Sequence, residues 1–250
     1  MNPLEICVDA GYIIDRLAGD IADLSMEAIM EIERAGYLRQ LIDREWNGQI
    51  KVITGIRRCG KSFLLRTLFR KYLLAKGVKE EQIIHLELDL TRNIRYRNPL
   101  ELSDYVHSRI DGKKDRFYLF VDEIQLSDPV KNPYLPDGKK ITFYDTLNDF
   151  REISNLDVYV TGSNSKMLSS DILTEFRGRE DEIRVHPLSF SEFCSAVGGD
   201  RKAALEQYAF FGGMPLILSQ KDDGAKMAYL QSLFSELYLK DIVERKGVQY

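Results

Sequence analysis

Gly55-Ile56-Arg57-Arg58-Cys59-Gly60-Lys61-Ser62 is the stretch that decides the fold. It stands directly after the strand-like run Lys51 to Thr54 and directly before a helical pattern from about Lys61 to Lys76. In that pattern Phe63, Leu64, Leu68, Tyr72 and Leu73 return to one face, and Gly77 is placed to end the helix. The octapeptide matches G-x-x-x-x-G-K-[ST] in the strand-to-helix setting the motif requires. Phosphate needs a dense cradle of backbone amides, and the glycines permit an approach that a Cβ would obstruct. The helix N-terminus adds favourable partial charge. Lys61 is therefore expected to reach the β and γ phosphates of a nucleotide, and Ser62 to offer its hydroxyl to Mg²⁺. Ile56, Arg57, Arg58 and Cys59 need only supply compatible backbone, and Phe63 closes the segment expected around the nucleotide.

Working outward, short β-branched or aromatic runs alternate with helical patterns, the signature of a mainly parallel sheet covered by helices. Strands are expected at Lys51 to Thr54, Gln82 to Asp89, Phe117 to Asp122, Val158 to Thr161 and Glu182 to Val185, and helices at Pro99 to Ile110 and Phe143 to Ile153. Turn residues between Ser127 and Lys140 mark a surface loop or hairpin. After Pro187 the pattern turns helical, at Ser189 to Ala196, Arg201 to Phe210 and about Ala225 to Glu244. Ile21, Leu24, Ala28, Ile29 and Ile32 suggest an amphipathic helix ahead of the core. The expected fold is thus α/β, a P-loop core with a mainly parallel five-stranded sheet at 35–188. A helical extension at 1–34 precedes it and a small helical lid subdomain at 189–250 follows.

Three further segments carry chemistry. Phe117-Tyr118-Leu119-Phe120-Val121-Asp122-Glu123 reads as a strand buried on both faces that delivers two acids to the sheet's carboxyl edge. Asp122 is suited to hold Mg²⁺, directly or through water, and Glu123 to orient and polarise an attacking water. Val158 to Ser165 is a strand ending in small polar residues, of which Asn164 or Ser163 could hold that water, with a helix N-cap as the competing role. In Phe176-Arg177-Gly178-Arg179-Glu180-Asp181, Arg179 and then Arg177 are candidate arginine fingers, with surface ion pairing as the alternative.

Composition narrows the classes. The chain has 250 residues, 35 Lys plus Arg against 39 Asp plus Glu, a formal net charge of −4, and 44% hydrophobic content. That excludes disorder, collagen and coiled coil as the whole structure. No apolar run approaches the roughly 18 residues needed to span a bilayer. Met1 to Ala10 lacks a basic region followed by an apolar one, so a cytosolic location is expected. The slightly acidic balance argues against a chain built mainly to coat nucleic acid, although Arg92, Arg95, Arg97, Lys113, Lys114 and Arg116 offer local basic patches. Cys7, Cys59 and Cys194 form no pair and are expected as reduced thiols; His85, His107 and His186 are scattered, with no zinc constellation.

The order GIRRCGKS, FYLFVDE, VYVTGSNS and FRGRE with IRVHPLSFSEF resembles the AAA+-related prokaryotic P-loop ATPases. More narrowly, it resembles the family in which one such ATPase domain is followed by a nuclease-like domain. The resemblance runs from about Ala35 to Tyr250, and Gly212 to Pro215 and Asp241 to Arg245 are similar to that family's lid region. It implies a Walker A motif at Gly55 to Ser62, Walker B at Asp122-Glu123, a sensor near Asn164 and an arginine near 179, with ATP or ADP and Mg²⁺ as ligands. The family continues past the point where Tyr250 stands, so a truncated protein is expected, and the segment through Arg34 has no recognised counterpart.

These readings imply an Mg²⁺-dependent ATPase whose lid helices convert nucleotide state into motion, acting on a protein partner or as a homo-oligomer. The alternative is a nucleotide-dependent switch with little turnover. A small-molecule kinase shares the loop, but Glu123 beside Asp122 suits water activation better than transfer to an acceptor. Direct DNA processing would need the basic loops, as neither a recognition helix nor a zinc module is legible.

Overall fold

The computed structural model describes residues 32–134, 138–163 and 180–235. Within these, Arg34–Pro187 forms one compact unit, and the residues from Leu188 on, with Ile32 and Glu33, belong to a second.

The first unit is built on five parallel strands in the order β2-β3-β4-β1-β5: β1 Ile50–Gly55, β2 Ile83–Glu87, β3 Phe117–Asp122, β4 Leu156–Ser163 and β5 Glu180–Arg184. Alternation along the strands sorts side chains into two cores. Phe117, Leu119 and Val121 of β3, with Val158 and Val160 of β4, face helices α3 (Pro99–Ile110) and α4 (Phe143–Arg151) through Leu102, Val106, Leu147 and Phe150. On the opposite face, Tyr118, Phe120, Tyr159 and Ile53 meet α1 (Ala35–Asp43) through Leu41. They also meet α2, a continuous helix made of Lys61–Phe63, a wider π-type stretch Leu64–Phe69, and Arg70–Ala75. The unbroken apolar reading of 117–121 follows from this burial on both faces.

Strand boundaries move modestly. Gln82 belongs to a 3₁₀ turn rather than to β2, although Leu88 N still donates to Asp122 O at 3.1 Å. β4 begins two residues before the expected Val158, and β5 begins at Glu180 rather than Glu182. β5 is an edge strand whose Asp181 accepts from Arg44 at 2.6 Å, and its charged residues hide it from an apolar pattern. Val130 and Ile141 exchange two 2.9 Å backbone bonds, an isolated antiparallel bridge within the segment expected as a surface loop or hairpin. The expected amphipathic helix at 21–32 lies outside the described residues apart from Ile32.

At the amino end of β1 a charged residue is fully enclosed: Lys51 is 0% exposed. Its Nζ is paired with Asp157 Oδ1, while Asp157 Oδ2 accepts from Tyr159 Oη at 2.8 Å and from Trp46 N at 3.1 Å. Burial pushes the Lys51 pKa down, against the pull of Asp157. Asp157→Asn would leave that buried ammonium without its direct ion-pair partner, with Asp181 and Glu45 as the remaining, less direct counter-charges. The expected loss is about 3–5 kcal/mol, read from the urea unfolding midpoint, and a cost under about 1 kcal/mol would contradict the account.

In the second unit Leu188, Phe193, Phe211, Met214, Ile217 and Leu233 form a small core. Its helices are α5 Phe190–Val197, α6 Arg201–Phe211 and α7 Asp223–Ser232. Ser189 and Glu192 form a reciprocal capping box on α5. Asp200 caps α6. The expected continuation of the last helix to Glu244 passes outside the described residues.

Candidate functional site

Parallel register brings the carboxyl ends of the strands to one edge. Gly55 stands opposite Ser163, Thr54 opposite Arg184, and Glu87 opposite Asp122. Ligands of open α/β sheets bind at such an edge.

The loop after β1 shows why its glycines are there. Gly55 has φ of 146°, and a Cβ on it would lie 2.2 Å from Val185 O, an overlap no side chain survives. Gly60 has φ of 102°, and Arg58 takes the left-handed conformation at φ 63°. Lys61 opens α2, is buried, and its Nζ donates to Gly55 O and Ile56 O at 3.1 Å each, so the ammonium lies across the loop. The first turn of α2 holds amides with no partner in their own helix, the groups an anion engages. Around the loop, Ile56 is 45% exposed, Arg57 and Phe63 are half-buried, and Arg58 is exposed. Cys59 is fully buried, with Sγ donating to Val185 O at 3.4 Å, and burial pushes its thiol pKa up. It packs the loop as a buried thiol whose access to reagents depends on the loop opening.

Asp122 ends β3 and is buried. Thr161 Oγ1 donates to Oδ1, and Ser62, the second residue of α2, lies beside the same carboxylate. Burial holds the Asp122 carboxyl above its ordinary range, with the Ser62 and Thr161 hydrogen bonds pulling it down. A divalent cation relieves that desolvation, and a buried carboxylate with the Ser62 hydroxyl beside it offers the hard oxygen ligands such a cation takes; the residues present fit Mg²⁺. Glu123 follows in the left-handed conformation, φ 55° and ψ 47°, a rare state for a non-glycine residue that turns the chain out of the sheet. Its N–H donates to Thr161 Oγ1 at 3.3 Å, and its Oε2 accepts from Gln125 Nε2.

The structure thus brings together the Gly55 to Ser62 loop, Asp122 and Glu123. Asn164, Arg177 and Arg179 lie outside the described residues. Two participants escape the sequence reading. Thr161 joins the two acids through one hydroxyl, and its only sequence signal is a polar residue at the end of an apolar strand. Arg34, placed in the leading segment by sequence, reaches the loop from outside the motif: its Nη1 donates to Cys59 O at 2.9 Å. None of the histidines belongs to the loop or the acidic pair, although His85 is near enough to Asp122 for its charge to be felt there. His85 is half-buried on β2, with its pKa pushed down by burial; His107 bonds Asp149 at 3.0 Å and Asp111 at 3.3 Å; His186 N donates to Tyr37 Oη at 3.1 Å. No group of three metal-ligating side chains, and no helix long and apolar enough to cross a membrane, occurs among the described residues.

The family model described as the AAA domain matches residues 47–194. An uncharacterized protein of Haemophilus influenzae is 32% identical over 223 residues, covering 87% of this chain and 52% of the relative. A second uncharacterized protein, from Methanocaldococcus jannaschii, is 28% identical over 217 residues, covering 80% of this chain and 43% of its own length. The chain therefore spans about half the length of the curated relatives it matches. Among solved structures, the Walker-type ATPase of Pyrococcus abyssi superposes with a TM-score of 0.57 at 17% identity, over 87% of this chain and 76% of that one; the likeness is one of fold.

Proposed function

The chain belongs to the AAA domain family, and from that premise we propose that it binds ATP with Mg²⁺ and hydrolyses the β,γ bond by in-line attack of water. One observation carries the reading: the glycine loop with Lys61 stands at the same sheet edge as Asp122 and Glu123, the two acids being joined through Thr161.

In this reading the amides around Gly60 and the start of α2 hold the phosphates, and Lys61 exchanges its two loop carbonyls for phosphate oxygens. Ser62 and Asp122 would hold Mg²⁺, which when bound supplies charge neutralisation on the β and γ oxygens. Glu123 orients water and takes its proton, while Thr161 fixes the spacing of the two acids. Asn164 and Arg179 complete the proposal as water-holding group and finger, the latter from the same chain or a second copy. The division into an extension at 1–34, an ATPase core at 35–188 and a helical lid at 189–250 belongs to the same proposal, the lid being the part whose movement reports nucleotide state.

The test is phosphate release by the purified chain against Mg²⁺ and protein concentration. Turnover that falls by about a hundredfold on chelation and returns with Mg²⁺ supports the reading; metal-independent turnover contradicts it. Specific activity rising with protein concentration would place the finger in trans. A second reading, a slowly hydrolysing switch, is favoured by the Gln125 amide that holds the Glu123 carboxylate. It predicts tight Mg²⁺-ATP binding with turnover below about one per hour.

A further inference from the structure

Arg34 is 4% exposed although it carries a permanent charge, and it lies thirteen positions before the matched segment begins, at 47 − 34. Its own backbone is in the left-handed region, φ 40° and ψ 40°, immediately before α1. The guanidinium spans two backbone carbonyls distant in sequence: Nη1 donates to Cys59 O at 2.9 Å and Nη2 to His186 O at 2.8 Å. It stacks over the Tyr37 ring, 4.5 Å from the centroid, and the Tyr37 hydroxyl accepts from His186 N at 3.1 Å. Arg34 and Tyr37 thereby engage both the carbonyl and the amide of His186. The same strand exit is held to the loop a second time, through Cys59 Sγ on Val185 O and the close approach of Gly55 to that carbonyl.

A planar guanidinium is the group that can bridge two carbonyls in fixed directions, whereas an ammonium is a point donor on a flexible stem. A buried arginine in a strained backbone state is retained against its cost only where surrounding contacts determine it. Here those contacts end on the phosphate loop at one side and on the exit of β5 at the other, two residues before Leu188 begins the second unit.

We propose that Arg34 is a positioning residue of the phosphate loop: by bridging Cys59 O and His186 O it locks the loop to the exit of β5, so that affinity for nucleoside polyphosphates depends on chain outside the matched domain. The nucleotide half of this inference rests on the function proposed above; the locking half does not. Arg34 acts through the Cys59 carbonyl and not on the reacting atoms.

The experiment uses the full chain with Arg34→Gln and Arg34→Lys, and Tyr37→Phe should Arg34→Gln not fold. Alkylation of Cys59 is followed by peptide mass spectrometry, with Cys194, half-buried in the second unit, as internal reference. ADP and ATP affinities are measured alongside by titration. Removing the bridge should raise the Cys59 alkylation rate about tenfold or more at an unchanged Cys194 rate, and weaken both nucleotides by about tenfold, with Arg34→Lys showing the same direction. An unchanged Cys59 rate in both arginine variants overturns the inference, as does a parallel rise of Cys59 and Cys194, which would mean general loosening. Failure of the wild type to bind nucleotide would instead strike the proposed function, and the Cys59 rate would still decide the role of Arg34.

Discussion

Lys61→Ala is expected to remove ATP and ADP binding at concentrations where the wild type saturates, with the fold intact. The ammonium is buried at the mouth of the loop and already turned onto the Gly55 and Ile56 carbonyls, so it is in place for phosphate. A unit charge pair at about 4 Å is worth roughly 4 kcal/mol at the effective dielectric of a protein surface, and giving up the two loop carbonyls consumes part of that. A net loss of about 3–4 kcal/mol corresponds to roughly 10²–10³ in affinity. Stability of the nucleotide-free protein should fall by no more than about 1–3 kcal/mol, because the buried Gly55 carbonyl loses its donor while the Ile56 carbonyl, on an exposed residue, can turn to water. Titration calorimetry with ADP, paired with a urea melt, separates the two quantities. Affinity within threefold of wild type would remove Lys61 from the phosphate cradle.

Glu123→Gln is the complementary case: binding kept, turnover lost. The carboxylate sits past the strand end, in a turn whose backbone is held by Thr161 rather than by its own side chain, so an isosteric amide leaves the turn in place. It also keeps an oxygen that can accept from Gln125 Nε2. What disappears is the base. General-base catalysis contributes about 10²–10⁴ in rate, so turnover should fall by at least a hundredfold while ATP affinity stays within about threefold. Single-turnover phosphate release beside equilibrium titration is the measurement. A fall under tenfold would assign water activation to another group, and a parallel loss of binding would make Glu123 a structural residue of the site.

The parts legible in sequence are those in which one short segment suffices. The glycine loop declares itself because its backbone demands are local, and 117–123 because a strand enclosed on both faces has no room for polar alternation before its acids emerge. β5 was harder to bound, since Glu180 and Asp181 belong to it by pairing with Ile50 and Lys51 rather than by their own preference. Helix α1 carries Tyr37, Leu38, Leu41 and Ile42 toward the core at helical spacing, yet the chain around it offers no cap that marks its start. Lys51 opens the expected first strand, and nothing in that segment announces Asp157, more than a hundred positions later, as its partner. Thr161 and Arg34 share that property: their partners are fixed by tertiary structure, and no spacing rule within one segment could reveal them.

The strand order also sets a timetable for synthesis. The strand that ends in the phosphate loop has β4 and β5 as its neighbours, and Lys51 pairs with Tyr159, 159 − 51 = 108 residues further along. A ribosome adding about 5–20 residues per second makes Tyr159 some 5–20 s after Lys51. During that interval segment 50–54 has neither of its sheet neighbours, whereas β2 can pair with β3 once residue 122 has cleared the exit tunnel. The edge that carries the glycine loop is therefore among the last features of this unit to be completed on the nascent chain. A pulse-labelled translation experiment should find ATP-dependent protection only after β5 has cleared the exit tunnel.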